Sequence, residues 1–345
     1  MGIQTVSKVF DRKISQKEFF TWQAMRPDAL RVRNWSLTAD ILLCDSERRI
    51  LIMHFTDTVY RNPYWPTFPL LQITQGCTHN SCKFCTMYRN VNFRMQPMEW
   101  IEEDLQELAE IAPDAKTIQL LSANPLCMTY DKLAPILEKI NHYLPEMEYI
   151  YAATRVTDIR NKTVEELKSL KEMGLREISL GVESGDDWTL DRVNKGYHAS
   201  DIIEQCGKLT EAGIAFWMTF LNGVAGKEHS MDHAIHSAEI FSRCNPMLVG
   251  TGGLVLFPGT PFLEEAERGE FTPLSEKEML IELKTFVEHL TCDCTFITHH
   301  TVSGKNLTGP DFLSRKSRIV AALEDEIKHG DMDRLAAIRN NKRSL

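Results

Sequence analysis

The chain has 345 residues, 43% of them hydrophobic and 25% charged, and carries a formal net charge of −9. That length holds one large domain or two ordinary ones, and the composition is that of a soluble globular enzyme. The acidic balance argues against a broad phosphate-binding surface, and no stretch approaches the ~20 apolar residues that span a bilayer, so neither nucleic acid nor a membrane is the expected partner.

The first residues lack the apolar centre of a signal peptide, and Val6 stands where a myristoylation signal has Ser or Thr. The cytoplasm is the expected location. Nine cysteines in such a chain read as thiols or metal ligands rather than a disulfide framework. Residues 32–35 and 50–54 alternate like strands around a turn at 45–49, so 1–67 is expected to be an N-terminal appendage of small antiparallel strands.

From 68 to 262, short apolar runs alternate with amphipathic patterns. Strands are expected at 70–74, 117–121, 149–153, 177–182, 215–220 and 248–256, and helices at 97–111, 130–143, 164–173, 201–212 and 231–243. Thr163 with Glu166 makes a capping box, and Gly174 sits where a helix ends; Ser200 and Gly213 bracket a later helix in the same way. Strands that each feed a helix imply an α/β fold with a parallel sheet. Six units are too few for a closed eight-stranded barrel, so a partial (β/α)6 TIM-like barrel is expected. Residues 263–345 read as a mainly helical C-terminal appendage ending in a solvated tail from Arg339.

Directly after the first strand comes Cys77-x4-Cys82-x2-Cys85. Three thiolates from one loop can hold three irons of a [4Fe–4S] cube and leave the fourth without a protein ligand. His79 lies in the same loop, so a Cys3His zinc site is the alternative. The loop's place at the C-terminal end of a barrel strand, where catalysis occurs in such folds, favours the cluster. Phe84, next to Cys85, would then shield the cluster's flank from water. Cys44, Cys127, Cys206 and Cys244 read as core or turn residues. Cys292 and Cys294, close to His299 and His300, read as buried thiols, with a second metal site or a place near substrate as the alternatives.

This loop resembles the cluster loop of radical S-adenosylmethionine (SAM) enzymes, with four residues rather than the usual three between the first two cysteines. The resemblance runs over 68–262. Ser179-Leu-Gly-Val-Glu-Ser-Gly185 with Val193-Asn-Lys-Gly196 is similar to the subgroup of methylthiotransferases and oxygen-independent coproporphyrinogen oxidases. It implies that Glu183 meets the ribose hydroxyls of SAM and that Lys195 pairs with the methionyl carboxylate. Where the family has a Gly-Gly-Glu turn for the methionyl amino group, this chain has only Ser122 and Asn124 to offer. The segments 222–226 and 257–262 resemble loops that approach the nucleotide, with Phe257 at the adenine edge. Arg155, past the third strand, reads equally as an anion ligand or a salt-bridge partner.

The resemblance implies two cofactors, a [4Fe–4S] cluster and SAM, and reductive cleavage of SAM to a 5′-deoxyadenosyl radical. That radical would abstract hydrogen from an unidentified small-molecule or peptide substrate, with an electron donor such as flavodoxin or ferredoxin. The alternatives are a non-catalytic iron–sulfur electron carrier and radical modification of RNA; the acidic balance weighs against the latter.

Overall fold

The computed structural model describes residues 53–62, 65, 67–298 and 303–341. The strand expected at 32–35, the turn at 45–49, Cys44, His299, His300 and residues 342–345 lie outside the described residues; the tail expected from Arg339 instead begins as helix to Asn340, because Arg339 pairs with Glu276 at 2.7 Å. Of the strand expected at 50–54, residues 53 and 54 are described and have no strand conformation.

Chain order begins with β1 (Leu70–Gln72), β2 (Thr74–Gln75), β3 (Arg94–Met95) and α1 (Met98–Ile111). Next come β4 (Thr117–Leu121), α2 (Tyr130–Tyr143), β5 (Tyr149–Thr154), α3 (Val156–Ile159), α4 (Val164–Glu172) and β6 (Leu175–Glu183). Then follow α5 (Asp187–Arg192), α6 (Ala199–Ala212), β7 (Ala215–Asn222), α7 (Ser230–Cys244) and β8 (Leu248–Gly253). The chain closes with α8 (Pro261–Glu267), α9 (Glu276–His289), β9 (Thr295–Ile297), α10 (Phe312–His329) and α11 (Met332–Asn340).

Seven strands form one sheet in the order β1-β4-β5-β6-β7-β8-β9, and every neighbouring pair is parallel. β1 and β9 are not paired with each other, so the sheet is an open barrel. Six of the strands were expected. The seventh, β9, comes from the segment read as a helical appendage, and its outer edge is covered by paired hydrogen bonds between Phe296 and Gly309. Apart from that antiparallel Phe296–Gly309 bridge, the antiparallel pairing among the described residues is a two-residue clip, β2 on β3, which brackets the cysteine loop.

These strands are apolar runs because a parallel sheet is covered on both faces. Outside, the helices pack Leu105, Leu137, Leu170, Leu209, Phe241 and Phe286, all fully buried, onto the sheet in one continuous core. Inside, at the N-terminal ends of the strands, Phe68, Tyr149, Trp217, Leu248 and Ile297 fill the barrel floor with Trp65 packed against them. Glu177 ties this floor together, accepting hydrogen bonds from Trp65 Nε1 at 3.1 Å and from the Tyr149 hydroxyl. The Thr163–Glu166 capping box forms as expected. The later helix starts earlier than Ser200 implied: His198 is its N-cap, because the Asp201 carboxylate accepts from the His198 backbone N–H and draws Ala199 and Ser200 into the first turn.

Residues 53–62 form no separate body. Asp57 accepts from the Gly76 N–H at 2.7 Å, Tyr60 donates to the Met87 carbonyl, and the Asn62 N–H donates to Gln119 on β4. This segment therefore runs from the cysteine loop along the first strands, and Tyr60 and Asn62 enter the barrel wall.

Candidate active site

A cavity of about 420 Å³ opens at the C-terminal ends of the strands. Cys77, Cys82 and Cys85 line it together with Phe84, Ser122, Arg155, Glu183 and Lys195. The three thiols are half-buried and lie within electrostatic reach of one another. Burial pushes Cys82 up and Cys85 up to about 11. Thiols in that state stay protonated until a metal replaces the proton. Phe84 is buried with Val193, Leu221 and Leu254, and Cys82 and Cys85 pack on this cluster, so one side of the loop is dry.

The donor chemistry fits an iron–sulfur group: three soft sulfurs, one loop, an open fourth side. His79 is turned elsewhere. Its Nε2 lies 2.5 Å from the Asn194 carbonyl oxygen and 3.0 Å from the Ser81 hydroxyl. Among the described residues, no three His, Cys, Asp or Glu side chains converge as a single metal ion requires. The Cys3His alternative would need His79 to leave both of these partners.

Glu183 reaches the cavity through an irregular strand end. The β6–β7 register shifts between Leu180 and Glu183, and Glu183 has a φ of +68°, a left-handed value that only an over-determined site holds in a non-glycine residue. Gly181 leaves the room this needs, since a Cβ there would meet Glu183 Oε1 at 3.2 Å. Glu183 Oε2 accepts from the Thr219 hydroxyl at 3.0 Å. Burial raises the carboxyl above its ordinary value, against the pull of Lys195 and Thr219.

Lys195 is buried, with Nζ 2.6 Å from the Gly181 carbonyl oxygen and 3.9 Å from Glu183 Oε1. Burial opposes its charge, but Tyr197, Cys82 and Glu183 outweigh that and hold the ammonium above its usual range. Arg155 donates from Nη2 to the Lys195 carbonyl oxygen at 2.5 Å, while its Nε is buried and finds no partner among the described residues.

The remaining expected residues divide. Ser122 lines the cavity at φ +93°, donating to the Gly76 carbonyl oxygen. Asn124, two residues on, does not. It is fully buried, accepts from the Thr78 N–H at 3.2 Å, and donates to the Thr78 hydroxyl at 2.6 Å and Asp158 Oδ2 at 3.1 Å. It braces the cysteine loop from behind. Phe257 also lies off the cavity wall: β8 ends at Gly253, and the Phe257 carbonyl is taken by the Thr260 N–H and hydroxyl. Cys292 and Cys294 sit in the main apolar core with Phe296, Cys206 and Cys244 share that core, and Cys127 is half-buried.

Wall residues that sequence reasoning passed over are Thr219, Tyr88, Gln119, Tyr151, Ser179 and Trp217. A signal for most of them exists. They are polar or amphipathic positions inside otherwise apolar parallel strands, where a purely structural residue would be Val, Ile or Leu.

Fold and site together define an open parallel α/β barrel with a three-thiol loop at its catalytic end. Residues 71–240 match the Radical SAM superfamily, so this part of the chain is a radical SAM domain, and it supports an enzyme of that class. It is 22% identical over 210 residues to the heme chaperone HemW of Bacillus subtilis, covering 59% of this chain and 54% of that one. It is 31% identical over 114 residues to an uncharacterized protein of Methanocaldococcus jannaschii, covering 33% and 35%. Among solved structures, it is similar to the radical SAM methyltransferase TsrM from Kitasatospora setae, with a TM-score of 0.49, 16% identity, and coverage of 58% of this chain and 37% of that one. The chain thus spans about half of the heme chaperone and about a third of the other two. No helix among the described residues is long and apolar enough to cross a membrane.

Proposed function

We propose that this protein holds a [4Fe–4S] cluster on Cys77, Cys82 and Cys85, binds SAM beside it, and acts on a substrate inside the barrel. The observation that carries this reading is the convergence of the three thiols, Glu183, Lys195 and Arg155 on one cavity. When bound, that cofactor pair supplies reductive opening of the sulfonium and a 5′-deoxyadenosyl radical able to take hydrogen from a substrate.

The chain's own residues have distinct tasks. Glu183, fixed by Thr219, accepts from the ribose hydroxyls, since a carboxylate takes two O–H donors at once. Lys195 and Arg155 supply the positive field for the methionyl carboxylate. Phe84 and its apolar neighbours keep water from the sulfur side, as radical chemistry requires. An electron donor of the flavodoxin or ferredoxin class and a cytoplasmic location complete the proposal.

Anaerobic loading with iron and sulfide, followed by dithionite and SAM, should release 5′-deoxyadenosine. Protein with an intact cluster that releases none would overturn the reading.

A further inference from the structure

The cavity changes character with depth. Its charged groups, Glu183, Lys195 and Arg155, stand at the rim beside the cysteine loop. Ser179 lies four residues before Glu183 on β6 and is in register with Trp217 on β7, on the order of 10 Å further in. At this lower level the described wall residues are Gln119, Tyr151, Ser179, Trp217 and Gly250, none of them charged. Arg61, which also borders the cavity, directs its guanidinium to the Phe68 carbonyl oxygen at 2.6 Å. A charged group pushed into this level would lose water and gain no counter-ion from these five residues.

Two features give the level a shape. The Tyr151 and Trp217 rings lie within 23° of parallel, with centroids 6.4 Å apart, and the Tyr151 hydroxyl is fixed by its 2.8 Å bond to Ser179. A flat guest therefore has two similarly oriented faces to lie against. The second feature is Gly250. It does not have a positive φ, and a Cβ built on it would meet nothing closer than Trp217 Cζ3 at 3.7 Å, an ordinary contact. Neither conformation nor protein packing asks for glycine there. Glycine inside a strand loses more backbone freedom on folding than alanine does. What it preserves is open space against the β8 backbone, the usual meaning of a strand glycine where something approaches closely.

We infer that this lower level is the substrate compartment, and that it receives an uncharged planar ring system whose edge meets the backbone at Gly250. The inference rests on the SAM reading of the rim and adds the class of molecule beneath it. Ser179 gives such a ring a hydrogen-bonding neighbour, and Trp217 gives it a face.

The test uses cluster-loaded full-length protein with S-adenosylhomocysteine saturating the rim, titrated calorimetrically with three probes on one skeleton. They are 2-naphthol (neutral, planar), 2-naphthoate (charged, planar) and decahydro-2-naphthol (neutral, puckered). The expected result is binding of 2-naphthol about tenfold tighter than either relative, without displacement of S-adenosylhomocysteine. Gly250→Leu should weaken 2-naphthol at least tenfold. Gly250→Ala should weaken it severalfold while leaving the thermal midpoint unchanged or higher, which a merely structural glycine would not do. Should the Leu variant fail to fold, the Ala variant decides. Equal or tighter binding of the charged or puckered probe, displacement of S-adenosylhomocysteine, absence of 2-naphthol binding, or unchanged affinity in Gly250→Ala would each overturn the inference and leave the SAM reading standing. Failure of the wild-type protein to bind S-adenosylhomocysteine would overturn both.

Discussion

Lys195 Nζ lies 3.9 Å from Glu183 Oε1, and the Gly181 carbonyl oxygen, 2.6 Å from the same ammonium, belongs to the strand that carries Glu183. One buried cation thus fixes the strand end and balances the carboxylate it presents. The arrangement explains how Glu183 keeps a left-handed φ: the Thr219 hydroxyl, the Lys195 charge and the vacant Cβ position of Gly181 all favour that placement. On the proposed SAM reading, a single coupled pair would meet the two ends of one nucleotide-bearing ligand.

Replacing Lys195 by Met should therefore damage both ends. Removing one partner of a buried pair leaves the other uncompensated, at about 3–5 kcal/mol when fully buried and less here because Glu183 is only half-buried. The Glu183 carboxyl, already raised by burial, would rise further without the lowering influence of Lys195. S-Adenosylhomocysteine affinity should fall at least tenfold. The pH below which affinity is lost should move upward relative to wild type. Calorimetric titration across pH measures both, and an unmoved inflection would show that Lys195 does not control this carboxylate.

Asn124 is expected to matter for cluster retention rather than for SAM. Its side chain makes three hydrogen bonds in a fully buried position, two of them to Thr78 beside Cys77. Asn124→Ala strands the Thr78 N–H and hydroxyl and should cost about 1–3 kcal/mol. Iron should leave the loaded variant faster in the presence of a chelator, while S-adenosylhomocysteine affinity of freshly loaded protein stays near wild type. A large loss of that affinity would instead place Asn124 in contact with the ligand.

Ser122 and Asn124 also show where sequence reading stops. Both are small polar residues in one turn after β4, equally able to donate. Only the backbone decides, since the positive φ of Ser122 keeps it on the cavity wall and sends Asn124 behind the loop. The helices at 98–111 and 130–143 were legible because burial of one face imposes a 3.6-residue period. The central strands were legible as apolar runs between turn residues. β9 was not, because three residues carry no period, and its strand character comes from pairing with β8 and from the cover supplied by Gly309. The cysteine trio was legible because its chemistry is local to nine residues; Thr219 was not, because its bond to Glu183 depends on register with a bulged neighbour.

Gly185 should be intolerant of even one added carbon. A Cβ there would lie 2.8 Å from Ser237 Cα and 2.8 Å from Ile240 Cβ, both on α7. Backbone cannot yield as a flexible side-chain tip would, so Gly185→Ala should destabilise by about 1–3 kcal/mol through overpacking. Gly207, inside α6, has nothing within 4 Å of the same construction. Gly207→Ala should stabilise by about 0.4–1 kcal/mol, from helix propensity and reduced freedom of the unfolded chain. Urea denaturation of the two variants should shift the midpoint in opposite directions; a shared direction would contradict this packing.

Glu282 on α9 sets a pH dependence of its own. It is fully buried, accepts from Asn222 Nδ2 at 2.9 Å, from the Gly223 N–H, and from the Ser230 hydroxyl at 2.5 Å, and His233 Nε2 stands 3.9 Å away. Burial pushes its carboxyl up to about 7 despite these donors, against an ordinary value of 4.5. Between those two values the folded protein holds a proton that the unfolded chain has lost. Stability from this group therefore falls as pH rises from about 4.5 to about 7, then levels off, with a total difference of about 3 kcal/mol at most. Glu282→Gln keeps the shape and one acceptor oxygen but cannot ionise. Its thermal midpoint should lack this component of the pH dependence between pH 5 and pH 7.5 that the wild type shows, and should equal or exceed the wild-type midpoint at the alkaline end. Matching slopes in the two proteins would show that Glu282 is already charged throughout, with its three donors outweighing its burial.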